Sequence, residues 1–211
     1  MTRDLFVTGT DTGVGKTLLS ALLVVALDGV YWKPIQTGAV EETDRRTVMQ
    51  LAEIPEGKTA PESYCFDPPV SPHLAAEAAG VTIDLEKIRR PDAVANRPLI
   101  AEGAGGILVP INGTALMLDL ARHLGLPVLI AARTALGTIN HTLLTVRALR
   151  DGGVETRGIV MIGPENRDNE RSIEKYGAVP VIGRIPWLPV INRSVLLQTF
   201  RTGFDPQYFS A

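Results

Sequence analysis

Along this chain, short runs of apolar residues alternate with helix-like segments from one end to the other. Residues 3–8 read as a strand, 16–27 as a helix, 30–35 as a second strand and 43–53 as a short polar helix. Residues 64–79 begin irregular and broken by prolines, then turn Ala-rich and helical. A further helix is expected over 84–90, with Asp84 as its cap and Pro91 as its stop. "RPLIAEGAGG" (97–106) is a buried strand that breaks into glycines. "LPVLIAAR" (126–133) and "TRGIVMIG" (156–163) repeat the pattern around a helix over 138–150. "VPVIGRIP" (179–186) is the last strong strand, and residues 191–211 carry no comparable signal.

Strands that are apolar on both faces and separated by helices imply a mostly parallel sheet covered on two sides. The expected fold is therefore a three-layer α/β domain. No repeat, low-complexity tract or Ser/Gly-rich linker divides the 211 residues, so a single domain over 1–211 is expected. In such sheets ligands bind beyond the carboxyl ends of the strands. A motif directly after a strand thus carries more weight than one elsewhere.

Composition narrows the class without naming it. Apolar residues at 45% and charged residues at 21% suit a soluble globular protein with a sizeable core. A net charge of −2 offers nucleic acid no basic face. The pairs Arg45-Arg46 and Arg89-Arg90 are flanked by acids and read as solvated surface. The one cysteine, Cys65, excludes an intrachain disulfide and agrees with a reducing, cytoplasmic setting. The start of the chain lacks the order of a signal peptide. The longest apolar stretch, 18–27, is interrupted by Ser20 and falls short of the roughly 20 residues a bilayer requires.

The chemistry concentrates in "FVTGTDTGVGKTLLSALLVV" (6–25), an apolar strand and an apolar helix joined by a glycine-rich turn. There a polyphosphate can meet several backbone N–H groups and the positive end of a helix dipole. Gly13 and Gly15 let the backbone approach closely, Lys16 can reach terminal phosphates, and the Thr17 hydroxyl can ligate magnesium. The strict phosphate-loop pattern fails at one place, where Thr10 stands and glycine is shifted to Gly9. The first glycine serves chain geometry, so the turn can still form. The fold expected is P-loop NTPase-like.

Other stretches offer both a functional and a plain reading. Lys33 in "YWKPIQTG" (31–38) sits where a buried strand meets the ligand edge; it can neutralise phosphate oxygens or simply snorkel to the surface. Asp44 opens a polar helix, where capping is the favoured chemistry. Glu102 follows an apolar strand directly, where carboxylate oxygens suit magnesium, and three glycines among the next four residues let the backbone crowd against a ligand; chance could supply either feature, though less easily both. No role for His73 in "SPHLAA" follows from its chemistry, and none for His123.

These stretches resemble, in order, the motifs of the dethiobiotin synthetases. "GTDTGVGKT" matches that family's signature loop, whose longer spacing is itself the pattern. The K-P-x-x-[ST]-G, E-G-A-G-G, L-G-x-I-N-H and I-P-W-L motifs follow in family order. The resemblance implies an ATP-dependent enzyme that joins 7,8-diaminononanoate and CO₂ into the ureido ring of dethiobiotin. It implies Lys16 and Lys33 as the catalytic cations, and Thr17, Asp44 and Glu102 as magnesium ligands. ATP would meet Gly13, Val14, Gly15, Lys16, Thr17 and Leu18, then Asp44 and the run Glu102, Gly103, Ala104 and Gly105, and finally Pro186, Trp187 and Leu188 near the adenine. The diamine would meet Thr12, Lys33, Thr37, Gly105 and Gly106, with Asn140 acting across a homodimer interface.

One departure stands out. The family usually presents Asn-Asp where this chain has Ile162-Gly163, with Asn166 slightly later, and an isoleucine cannot read a base edge. Weaker discrimination among nucleoside triphosphates is expected. The rival readings are a partition or septum-positioning ATPase and an amidoligase domain. The first usually carries an extra lysine early in the loop, absent from 10–14; the second usually brings a fused glutaminase.

Overall fold

Seven strands pair into one wholly parallel sheet in the computed structural model, which describes residues 3–40, 42–92 and 96–210. The strands are β1 (Leu5–Gly9), β2 (Val30–Trp32), β4 (Thr59–Ala60), β6 (Leu99–Gly106), β7 (Val128–Arg133), β8 (Thr156–Ile162) and β9 (Val181–Ile185), in spatial order β4-β2-β6-β1-β7-β8-β9. Two short strands, β3 (Ile35–Gln36) and β5 (Tyr64–Cys65), form a separate parallel pair. The helices are α1 (Lys16–Ala26), α2 (Asp44–Ala52), α3 (Pro72–Ala78), α4 (Met117–Leu124), α5 (Thr138–Asp151), α6 (Arg167–Gly177) and α7 (Arg193–Gly203).

The side-chain alternation of each strand builds a core on each face of the sheet. Leu5, Val7, Ile100 and Leu129 pack with Leu19, Leu22 and Leu196 on the side of α1, α2 and α7. Phe6, Leu99, Ala101 and Ile130 pack with Leu120, Leu149 and Ile173 on the side of α4, α5 and α6. Three layers result. β1 lies at the centre, with β6 on one side and β7 on the other, so the loop after β1 opens between two strand ends.

Several local expectations change. The strand expected over 30–35 splits at Lys33-Pro34, because proline cannot donate to the ladder, and Ile35 then joins β3. The strand expected to end in glycines instead runs through them as β6. Its register with β1 jumps from Val7–Glu102 to Gly9–Gly106, a bulge with Gly105 at φ 68°. Asp44 is not a helix cap: Thr43 takes that place, its side chain accepting from the Arg46 N–H, and Asp44 is left for other partners. The helix expected over 84–90 is a 3₁₀ turn over Leu85–Lys87, although Asp84 does cap it. Residues beyond 191, silent in the sequence pattern, form α7 and a 3₁₀ turn whose Phe204 and Phe209 enter the α1-side core. Met1, Thr2, Glu41, the 93–95 segment and Ala211 lie outside the described residues; Glu41 opens the 41–52 stretch that holds Asp44.

Candidate active site

The turn after β1 shows how the displaced glycine functions. A Cβ on Gly9 would stand 2.7 Å from the Asp11 carbonyl oxygen, a backbone atom that cannot step aside. Thr10 meets no such demand; its N–H extends the ladder by donating to the Ala131 carbonyl at 3.0 Å. Gly13 and Gly15 adopt φ of 67° and 99°, which L side chains rarely enter. Helix α1 then opens at Lys16 with no side-chain cap, leaving its first N–H groups for an anionic ligand. The Lys16 ammonium curls back over the loop and donates to the Asp11 carbonyl at 3.1 Å. Burial, aided by the nearby Lys33 charge, lowers its pKa against the pull of Glu102, Asp44 and Asp11. A bound polyphosphate would supply further counter-charge to this buried cation.

Groups from α1 and from the end of β2 then converge on Glu102 of β6. This carboxylate is 1% exposed, at the point where β6 passes beside β2 and α1. Lys33 reaches it from the end of β2, with Nζ 3.1 Å from Glu102 Oε1 and 2.5 Å from Asp44 Oδ2. Thr17, in the first turn of α1, donates to Asp44 Oδ1 at 2.7 Å and lies 3.1 Å from Glu102 Oε1. Burial works against the Lys33 charge, but Glu102 and Asp44 outweigh it and raise its pKa. Burial likewise opposes the Asp44 carboxylate, and the Lys33 ammonium, with hydrogen bonds from Lys33, Thr17 and Gln36, holds it below the usual carboxylate range.

A cavity of about 620 Å³ opens over this cluster. Thr12, Gly13, Gly15, Lys16 and Thr17 line its phosphate-loop side. Lys33, Thr37, Asp44, Glu102, Ala104 and Gly105 line the other. Val14 and Leu18 pack into the α1-side core instead. Gly103 faces away, where a Cβ would meet the Phe6 ring at 3.0 Å, and Gly106 passes against the Gly9 carbonyl. Pro186 and Trp187 are exposed beyond β9, with Leu188 half-buried against the α1-side core. Asn140 is exposed on the first turn of α5, outside the cavity. Ile162 packs over Gly15, and Asn166 caps α6 by accepting from the Asn169 N–H.

Sequence reasoning passed over three members of the cluster. Gln36 fixes α2 by accepting the Asp44 N–H at 3.1 Å. Ser20 and Tyr31 donate to Glu102 Oε2 at 2.8 and 3.1 Å. A signal did exist: Ser20 stands three residues after Thr17 on a helix, and Tyr31 two before Lys33 on a strand, each spacing sharing a face. Burial, then Glu102, pushes the Tyr31 pKa well above its usual value, so its hydroxyl remains a donor.

Two carboxylates and one hydroxyl of Thr17, Asp44 and Glu102 form an all-oxygen donor set that fits magnesium. Such a set is too sparse to cage the ion alone, which suits a cation shared with nucleotide phosphates. Among the described residues, no three His, Cys, Asp or Glu side chains gather as a metal cage.

A family model described as an AAA domain matches residues 3–195. The chain is 50% identical to the ATP-dependent dethiobiotin synthetase BioD of Nitrobacter hamburgensis, over 97% of this chain and 95% of that one. It is 48% identical to the protein of the same name from Novosphingobium aromaticivorans, over 97% and 98%. Among solved structures, a ParA family ATPase from Chlorobium tepidum TLS superposes with a TM-score of 0.54, covering 89% of this chain and 85% of that one. At 14% identity that likeness shows the fold alone.

Proposed function

This chain belongs to the family of ATP-dependent dethiobiotin synthetases, and from that premise we propose how its own residues carry the reaction. The substrates are ATP, CO₂ and 7,8-diaminononanoate. One amine takes up CO₂ as a carbamate, whose oxygen attacks the γ-phosphorus and expels ADP. The second amine then attacks the carbonyl carbon of the mixed anhydride, closing the ring and releasing phosphate. In such transfers a protein mainly positions groups and neutralises charge.

The observation that carries this reading is the buried cluster itself: two lysines, two carboxylates and a phosphate-loop threonine around one cavity. Lys16 and the open N–H groups of α1 hold the phosphates. Lys33 neutralises charge between carbamate and γ-phosphate. Thr17, Asp44 and Glu102 would hold a magnesium ion, which lends further positive charge to the phosphate oxygens. Thr12, Thr37 and Gly105 contact the diamine; Ala104 and Gly105 lie along the nucleotide.

We infer a homodimer as well. Leu108, Leu136 and Leu144 are large apolar side chains left exposed, and Leu108 and Leu144 border a hollow beside the phosphate loop. A partner seated there would cover them and bring an Asn140 toward the diamine carboxylate. A cytoplasmic setting fits the single cysteine. Among the described residues, no helix is long and apolar enough to cross a membrane.

The test is ADP release followed with and without the diamine and bicarbonate. Release that requires both supports the reading. Steady release without the diamine would point to the nucleotide-switch ATPases whose fold this chain shares.

A further inference from the structure

Glu102 has two oxygens, and they are treated differently. Oε1 meets Thr17 and Lys33, the groups that face the cavity. Oε2 is held by two hydroxyls, Ser20 at 2.8 Å and Tyr31 at 3.1 Å, both on residues with no exposed surface. The backbone places these groups in pairs. Thr17 and Ser20 are one turn apart on α1, so each reaches a different oxygen of the same carboxylate. Tyr31 and Lys33 are two residues apart at the end of β2, so they point to the same side and divide the two oxygens likewise.

A carboxylate with one free side can rotate about its last bond and offer either oxygen, or both. With Oε2 gripped by two O–H donors in a dry pocket, rotation would cost two hydrogen bonds that water cannot replace. We propose that Ser20 and Tyr31 are positioning residues that lock Glu102, so that it serves the loaded site through Oε1 alone. This rests on the magnesium-ligand role given to Glu102 above. Neither hydroxyl touches substrate; both act through Glu102.

The test compares Tyr31→Phe, Ser20→Ala and Glu102→Gln with the parent protein, by calorimetric titration of ADP with and without magnesium chloride. Outer-sphere partners of this kind typically change metal affinity 10–100-fold. The first two variants should therefore weaken binding of magnesium-loaded ADP by about tenfold, while metal-free ADP binds as before. Two results overturn the proposal. One is parent-like magnesium-ADP binding in both hydroxyl variants alongside a weakened Glu102→Gln; the other is equal weakening with and without metal, which marks support of the loop rather than of Glu102. If Glu102→Gln itself leaves magnesium-ADP binding untouched, the metal role of Glu102 fails and this inference with it. Tyr31→Phe removes one oxygen from an intact ring, so it decides the matter should Ser20→Ala disturb folding.

Discussion

Lys33 shows how much one residue's meaning depends on its neighbours. From the sequence it was either a site lysine or a snorkelling one; the structure buries it against Asp44 and Glu102 in the lining of the cavity. Removing one charge contact that strengthens in the transition state costs about 2.7–4 kcal/mol. Lys33→Ala should accordingly lower turnover at least about a hundredfold while ADP binding stays nearly intact. Unchanged turnover would remove Lys33 from the mechanism. Asp44 allows a second prediction. Its folded pKa lies below the unfolded value, so its stabilisation is present above the unfolded pKa and fades as pH falls through the folded one. Urea unfolding of the parent should show this loss below about pH 4, and Asp44→Asn should lack it. Parallel pH profiles for the two proteins would count against the Lys33–Asp44 pairing.

Between elements, the strand-to-helix turn was legible in the sequence and the strand-to-loop edges were not. Glycine at 13 and 15 followed by Lys16 and Thr17 needs no tertiary knowledge, since the backbone conformation and the chemistry are both local. The reason for glycine at position 9 is the close pass of Asp11. Gly9→Ala should therefore abolish detectable ADP binding in titration calorimetry, whereas Thr10→Gly should leave it unchanged. The opposite ranking would return the first-glycine role to position 10. After β8, Ile162 is turned onto Gly15 and offers no hydrogen bond, while the Asn166 oxygen accepts at the α6 cap and leaves only its amide N–H groups to face a base. Turnover with CTP and GTP should thus lie within a hundredfold of that with ATP, as initial-rate measurements would show. A larger preference for ATP would mean that groups other than these select the base.

At the scale of the whole molecule, the parallel order of the long strands and the two-sided cover were expected from uniformly apolar runs, and the sheet has both. The short pieces escaped notice because two-residue strands such as β3, β4 and β5 carry no periodicity. Helix α7 escaped for a different reason: its main packing partner is helix α1, far away in sequence. The exposed leucines lead to a prediction at this scale. Light scattering should give the mass of two chains, and Leu144→Asp should give one chain that still binds ADP but loses diamine-dependent ADP release. A parent protein of one-chain mass would end the shared-site reading.

The sequence by itself determined the layers, the position of the phosphate loop and the kinds of charge available, because those follow from side-chain period and from backbone freedom within a few residues. The resemblance implies a shared magnesium for Thr17, Asp44 and Glu102, but only the tertiary structure decided that Lys33 pairs with both carboxylates and that Ser20 and Tyr31 complete the cluster. Contacts across separations such as the 85 residues between Thr17 and Glu102 are set by strand order and register, which no local pattern encodes.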